Sequence, residues 1–158
     1  MAIISLENSA PDGQPAPMSD SFRNLNWKNF WVADDEVFES DGYFHLIHSG
    51  EAAAYNYLAQ PVGFKSPDRD DDFDLSSGYF AAFLINDVKV KVVGFDDGEK
   101  VARKVFTLDP TQEFVTFSRK FDDIDEVRFK VKGGTDPDPN DDQPLTNVFG
   151  VDDLFLSL

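Results

Sequence analysis

The run Val88-Lys89-Val90-Lys91-Val92 alternates apolar and cationic side chains without a break. Successive side chains of a strand point to opposite faces, so this pattern suits a strand with one face buried and the other in water. The chain continues through Gly94 and Phe95 to Asp96-Asp97-Gly98, and a second run follows from Val101 to Leu108. An Asp-Gly step between two such runs signals a hairpin, because Gly accepts the positive φ that a tight turn needs. The same period returns from Glu126 to Lys132, with Val127, Phe129 and Val131 on one face and Arg128, Lys130 and Lys132 on the other.

Shorter runs fill the remainder. Strands are expected at Ile3 to Glu7, Phe73 to Leu75, Tyr79 to Ile85, Glu113 to Ser118 and Val148 to Leu158, with Tyr43 to His48 and Ala52 to Tyr57 as a pair joined at Ser49-Gly50-Glu51. The segment holding Trp27 and Trp31 has no clean alternation, and no strand is assigned to it. No stretch sustains the i, i+3, i+4 spacing of a long helix. Residues 8–21, 66–72 and 133–146 read as loops, rich in Pro, Gly and Asp. About ten short strands with turns between them argue for an all-β fold: a two-sheet antiparallel β-sandwich with jelly-roll topology, one domain over residues 1–158.

Composition bounds the rest. The chain has 158 residues, 41% of them hydrophobic, with 16 Phe against 2 Met, which is enough for one bulky aromatic core and too apolar for a disordered chain. Thirty acidic residues against 14 basic ones give a net charge of −16. A field of that sign repels phosphate backbones and anionic lipid, so no nucleic-acid partner is expected. It attracts divalent cations or basic partners, or simply keeps the protein soluble. The absence of Cys excludes disulfides, thiolate metal sites and a Cys nucleophile. Apolar runs are only a few residues long, so no membrane insertion is expected. The start, Met1-Ala2-Ile3-Ile4-Ser5-Leu6, shows no signal-peptide pattern.

Several stretches together resemble a known domain. They are Gly78-Tyr79-Phe80-Ala81-Ala82-Phe83, the run from Val88 to Gly98, Phe114-Val115-Thr116-Phe117, Gly133-Gly134-Thr135, and Phe149-Gly150-Val151-Asp152-Asp153-Leu154-Phe155. Leu25-Asn26-Trp27-Lys28-Asn29-Phe30 and Ala54-Tyr55-Asn56 fit the same pattern. From about Ile3 to its end the chain resembles the β-sandwich domain common in secreted bacterial proteins of the PEP-CTERM surface-sorting type, with similar domains in fungal secreted proteins. The resemblance implies a jelly roll similar to galactose-binding-like and carbohydrate-binding modules, in an extracellular or cell-surface setting. It implies no particular enzymatic activity.

Carbohydrate-binding jelly rolls often hold a structural calcium ion between their first and last strands. Here the acids in those strands are Glu7, Asp152 and Asp153. Two adjacent carboxylates in a core strand need a partner, which a hard cation would supply; otherwise one caps backbone amides and the other faces water. A second candidate is Asp136-Pro137-Asp138-Pro139-Asn140, whose spacing opens like a calcium loop of the EF-hand kind. It departs where Asp141 replaces the required Gly and Asn147 stands where a bidentate Glu belongs, and a solvated acidic loop is the plainer reading. Asp68, Asp70, Asp71 and Asp72 have no ligand spacing and read as a solvated loop beside a strand edge. His45 and His48 are three apart, which on a strand sends them to opposite faces and makes a shared metal poor. Trp27, Trp31, Tyr43, Tyr55 and Tyr57 are candidates for stacking on sugar rings, each with the alternative of being core.

These residues suggest a non-catalytic binding module, carbohydrate-binding-like or surface-interacting, stabilised by calcium and taking a glycan or surface polymer. The alternatives are a structural or assembly protein of an envelope or matrix, and, less favoured, a small enzyme on a sandwich scaffold using His45, His48 or an acid pair. With 30 acidic residues, many carboxylate pairs are conceivable and none is singled out.

Overall fold

The computed structural model describes residues 2–6, 9–11, 13–37, 47, 50, 52–56, 60–68, 70–83, 85–135 and 148–157. The strands, numbered in chain order, are β1 (Ala2–Ile4), β2 (Ala16–Pro17), β3 (Asn26–Lys28), β4 (Phe30–Asp34), β5 (Ala52–Asn56) and β6 (Val62–Lys65), then β7 (Asp74–Ala82), β8 (Asn86–Asp96), β9 (Glu99–Leu108), β10 (Glu113–Thr116), β11 (Glu126–Thr135) and β12 (Phe149–Ser157). They form two antiparallel sheets. One runs β10-β7-β12-β5-β4-β2, with β1 also paired to β12, and the other runs β3-β6-β11-β8-β9. The all-β jelly-roll sandwich expected from the alternation is the fold observed.

The alternating runs behave as their period requires. Val88, Val90 and Val92 are fully buried, as are Val127 and Phe129 on the neighbouring strand, while Lys89 and Lys130 stay exposed. Asp97 and Gly98 make the turn between β8 and β9, with φ of 47° and 82°; this double positive φ matches the twist of a two-residue hairpin. Between the sheets lies an aromatic core. Phe30, Phe80 and Phe149 come from one sheet and Phe64 and Phe129 from the other, all essentially without solvent contact. Each side chain buried in this way contributes about 1.5–3 kcal/mol of transfer free energy.

Three local expectations are corrected. The expected pairing of Ala52 to Tyr57 with Tyr43 to His48 falls largely outside the described residues; Ala52–Asn56 sits between β4 and β12 and is buried throughout. The Trp27–Trp31 segment is two strands. Asn29, at φ 62°, breaks it, so β3 joins the five-stranded sheet and β4 the seven-stranded one. The Phe73 and Tyr79 strands merge into β7, because Ser76, Ser77 and Gly78 are compatible with continuous pairing to β10 and β12. Gly133 to Thr135 continues β11 rather than opening a loop, held by pairing to β8.

The last strand runs through the interior of its sheet, between β7 and β5. The register shifts between Asp152 and Phe155, and Asp153 takes φ 46°. The Asp152 carboxylate accepts the Asp153 N–H at 2.8 Å. A bulge therefore accommodates the two adjacent acids.

Candidate functional site

The outward face of the five-stranded sheet holds a cavity. Its register aligns Lys28, Gly63 and Arg128 in one row, and Asn26, Lys65 and Glu126 in the next. Gly63 has no side chain, so its row is low at the centre and higher at both rims. The resulting groove, about 540 Å³, runs over β3, β6 and β11, and Asn29 and Lys130 also line it. The Asn29 amide donates to the Pro61 carbonyl at 3.1 Å, which ties the β3–β4 junction to the strand entry at β6.

Arg128 is immobilised from two sides. Its Nε and Nη2 donate to the two carboxylate oxygens of Glu126 at 2.8 and 3.2 Å, and its guanidinium lies over the Phe95 ring at 4.3 Å. The Glu126 hydrogen bond holds the Arg128 proton above the ordinary guanidinium range. A fork geometry of this kind fixes the side chain and spares a ligand the entropic cost of ordering it.

At the end of the sandwich near the β8–β9 turn, Asp72, Asp96 and Asp125 bring one carboxylate oxygen each within 4.8 Å of one another. Asp125 is 7% exposed and accepts the Asp97 N–H at 2.9 Å. Nearby, Asp74 accepts the Asp123 N–H at 2.9 Å. Asp72 was expected in a solvated loop; it is exposed, but its carboxylate faces Asp96 of β8 and Asp125 just before β11. Desolvation first, then the charges of neighbouring aspartates, push the Asp72 and Asp96 carboxyls above the usual carboxylate range.

A raised carboxyl pKa means that the folded state holds the proton more tightly than the unfolded one. The pair therefore subtracts stability at neutral pH, and the loss is relieved as pH falls through the raised pKa toward the ordinary value. In EDTA, Asp96→Asn is expected to melt higher than the parent at pH 7, and the gap should close as pH approaches about 4. A variant that melts lower at pH 7 would show that Asp96 makes a stabilising contact instead.

The residues expected from the sequence are spread apart. Trp27 is 6% exposed, with Nε1 donating to the Phe22 carbonyl at 2.8 Å and its ring against Phe30 and Phe64 at 5.5 and 5.0 Å. Its ring belongs to the core beneath the groove. Tyr55 is buried against Phe83 at 5.6 Å, and Trp31 is half-buried on the outer side of the other sheet. Asp152 is fully buried and Asp153 nearly so. Tyr43, Tyr57, Glu7, Asp136, Asp138, Asn140, His45 and His48 lie outside the described residues. An aromatic group not anticipated, Tyr79 with Phe114 at 5.0 Å and Phe155 beyond it, sits on the seven-stranded sheet, where Phe114 is 52% exposed. The groove was missed because its shape depends on strand order. Outward Arg128 and Lys130 were visible, but not that Gly63 and Lys28 stand beside them.

Among solved structures the chain is similar to a DUF4465 family protein from Bacteroides caccae, with 13% identity and a TM-score of 0.64 over 99% of this chain and 98% of that one. A DUF4465 family protein from Bacteroides ovatus is similar at 13% identity, TM-score 0.51, covering 97% and 92%. TmCBM61 in complex with β-1,4-galactotriose is similar at 11% identity and a TM-score of 0.45, covering 97% and 93%. At these identities the first two likenesses establish the fold. No family model matches the chain, and no curated protein matches it in sequence.

Proposed function

We propose that this chain is a non-catalytic saccharide-binding module of a secreted or cell-surface setting, with the groove over β3, β6 and β11 as its binding surface. The groove itself is the observation that carries this reading. It is an open channel across a rigid sheet, with backbone for a floor and amide, ammonium, guanidinium and carboxylate groups along its sides. A sugar presents hydroxyls in many directions, and such a lining meets them with donors and acceptors at fixed places. The supporting strands hold these groups in position before a ligand arrives.

A glycan array followed by titration calorimetry tests it. Wild type is expected to retain at least one glycan, and Asn26→Ala with Lys65→Ala is expected to weaken that binding by roughly tenfold while leaving the melting temperature within a few degrees. Lys120→Ala, on a short turn away from the groove, should bind as wild type. Retention of no glycan, neutral or acidic, would end the reading.

A structural calcium ion is also proposed, as expected for Glu7, Asp152 and Asp153. Its check is calorimetry in EDTA and then in calcium: a higher melting temperature with calcium supports it, and no shift rejects it. Asp152→Asn and Asp125→Asn, measured separately, tell which end of the sandwich responds.

A further inference from the structure

Most of this acidic protein's positive charge is gathered on one surface. Lys28 comes from β3 and Lys65 from β6, Lys89 and Lys91 from β8, and Lys100 and Arg103 from β9. With Arg128, Lys130 and Lys132 of β11 they make nine of the 14 basic residues, all at outward register positions of the five-stranded sheet. Glu126 is the carboxylate within these rows, and Arg128 already occupies it. The molecule as a whole stands at −16.

The arrangement works against the fold. Lys91 lies directly opposite Lys130, and Lys89 directly opposite Lys132. Like charges facing each other across antiparallel strands destabilise the pair. Among the described residues none of these four lysines has a carboxylate within ion-pair distance. The charges of Lys100 and Arg103, more than burial, hold the Lys91 ammonium below its ordinary range, with Lys130 adding to the effect. Thirty acids were available to interleave with these cations, yet the rows hold one. A local violation of this kind, on the same face as the groove, points to a ligand that supplies the missing charge.

We propose that this face takes an acidic polysaccharide, a carboxylated or sulfated glycan lying across the strands with its anionic groups over the Lys89, Lys91, Lys130 and Lys132 block and its hydroxyls in the groove. This rests on the saccharide-binding reading and names the ligand class for it. Nucleic acid fits less well. A duplex carries one negative charge about every 1.7 Å, and that density would extend past the sheet onto the aspartates of Asp72, Asp96 and Asp97. Single strands are held by exposed rings on which bases stack, and the ring in these rows, Phe95, is covered by Arg128. An acidic glycan carries its charges farther apart and interleaves them with hydroxyls.

The test is affinity electrophoresis through polygalacturonate, dextran sulfate and neutral dextran, alongside a single-stranded oligonucleotide. Retardation is expected by at least one of the two acidic polysaccharides, weakening about tenfold or more between low and moderate salt as counterion release requires. Lys91→Glu is the decisive variant. It sets a carboxylate opposite Lys130, so it should raise the melting temperature while weakening retardation roughly tenfold. Loss of binding together with loss of stability would mark Lys91 as structural and overturn the proposal. So would equal retardation by neutral dextran, or tighter binding of the oligonucleotide. Self-association by light scattering that Lys91→Glu abolishes would assign the face to a second copy and overturn it as well. If neutral glycans bind on the array and neither acidic polymer does, this inference fails and the saccharide-binding reading stands; if no glycan binds, both fail.

Discussion

Phe129→Ala is expected to destabilise the domain by about 3–5 kcal/mol, the usual cost of emptying a large aromatic site that cannot collapse. Phe129 has no exposure, and its ring centroid lies 5.9 Å from Phe30, 6.1 Å from Phe64, 6.3 Å from Phe80 and 5.9 Å from Phe149. Three of those neighbours belong to the opposite sheet, so the ring is where the two sheets meet. Strands on either side are held by their own ladders and cannot close over the void. For a chain of this size the loss corresponds to a fall in melting temperature of roughly 10–15 °C. It is also a large share of the roughly 5–15 kcal/mol that domains possess. Chemical denaturation of Phe129→Ala against Phe129→Leu checks it. A loss below about 1.5 kcal/mol for the alanine variant would mean that the phenylalanine cluster repacks freely.

Gly63→Ala should be the second largest effect, about 2–3 kcal/mol, although it adds a single methyl group. A Cβ at this position would sit 2.5 Å from the Val127 carbonyl oxygen and 3.4 Å from the Arg128 Cα. The obstruction is backbone, so no side chain can swing aside, and β6 must move away from β11. That movement loosens ladder hydrogen bonds and fills the floor of the groove together. Gly98 is the informative control. A Cβ there meets nothing within 4 Å, and only its φ of 82° opposes a side chain. Gly98→Ala should therefore cost roughly 1–2 kcal/mol, from backbone strain alone, and leave ligand binding intact. If Gly63→Ala were as mild as that and bound normally, the close contact between β6 and β11 would not be what sets the groove's shape.

The fold was legible where side-chain period and turn chemistry agreed. The β8–β9 hairpin and the outward lysines of β11 follow directly from alternation, and Asp97-Gly98 marks the turn. Legibility failed where one residue redirects the chain. Asn29 breaks the Trp27–Trp31 segment by entering the left-handed region, and a single polar residue between aromatics carries no period to read. It also failed where partners are remote. Ala52–Asn56 pairs with Phe30–Asp34 and with the last strand, and nothing local in the sequence names those partners. The site was the least legible part. Lys89, Lys91, Arg128, Lys130 and Lys132 were recognisable as outward residues, but Lys28 and Lys65 were not, and the assembly of all of them into one surface depends on the order β3-β6-β11-β8-β9, a property of the folded sheet alone. The Asp72, Asp96 and Asp125 group joins three segments distant in sequence, so Asp72 taken singly read as part of a solvated loop and Asp96 as part of a turn.

The position of β12 bears on how the chain reaches this structure. It pairs with β1, β5 and β7, so the middle of the larger sheet is supplied by a strand that follows all of its partners along the chain. Until β12 docks, β7 and β5 present unsatisfied edges to each other across an empty lane. Closing that lane joins residues far apart in sequence, such as Val151 with Ala54 and Phe149 with Ala82, and topologies dominated by such pairings fold slowly, in milliseconds to seconds. The five-stranded sheet, whose β8–β9 hairpin and β11 are near neighbours in sequence, can assemble first. The nascent protein would thus carry its cationic face before it has a complete core, and synthesis of the final strand sets the moment at which the domain becomes stable.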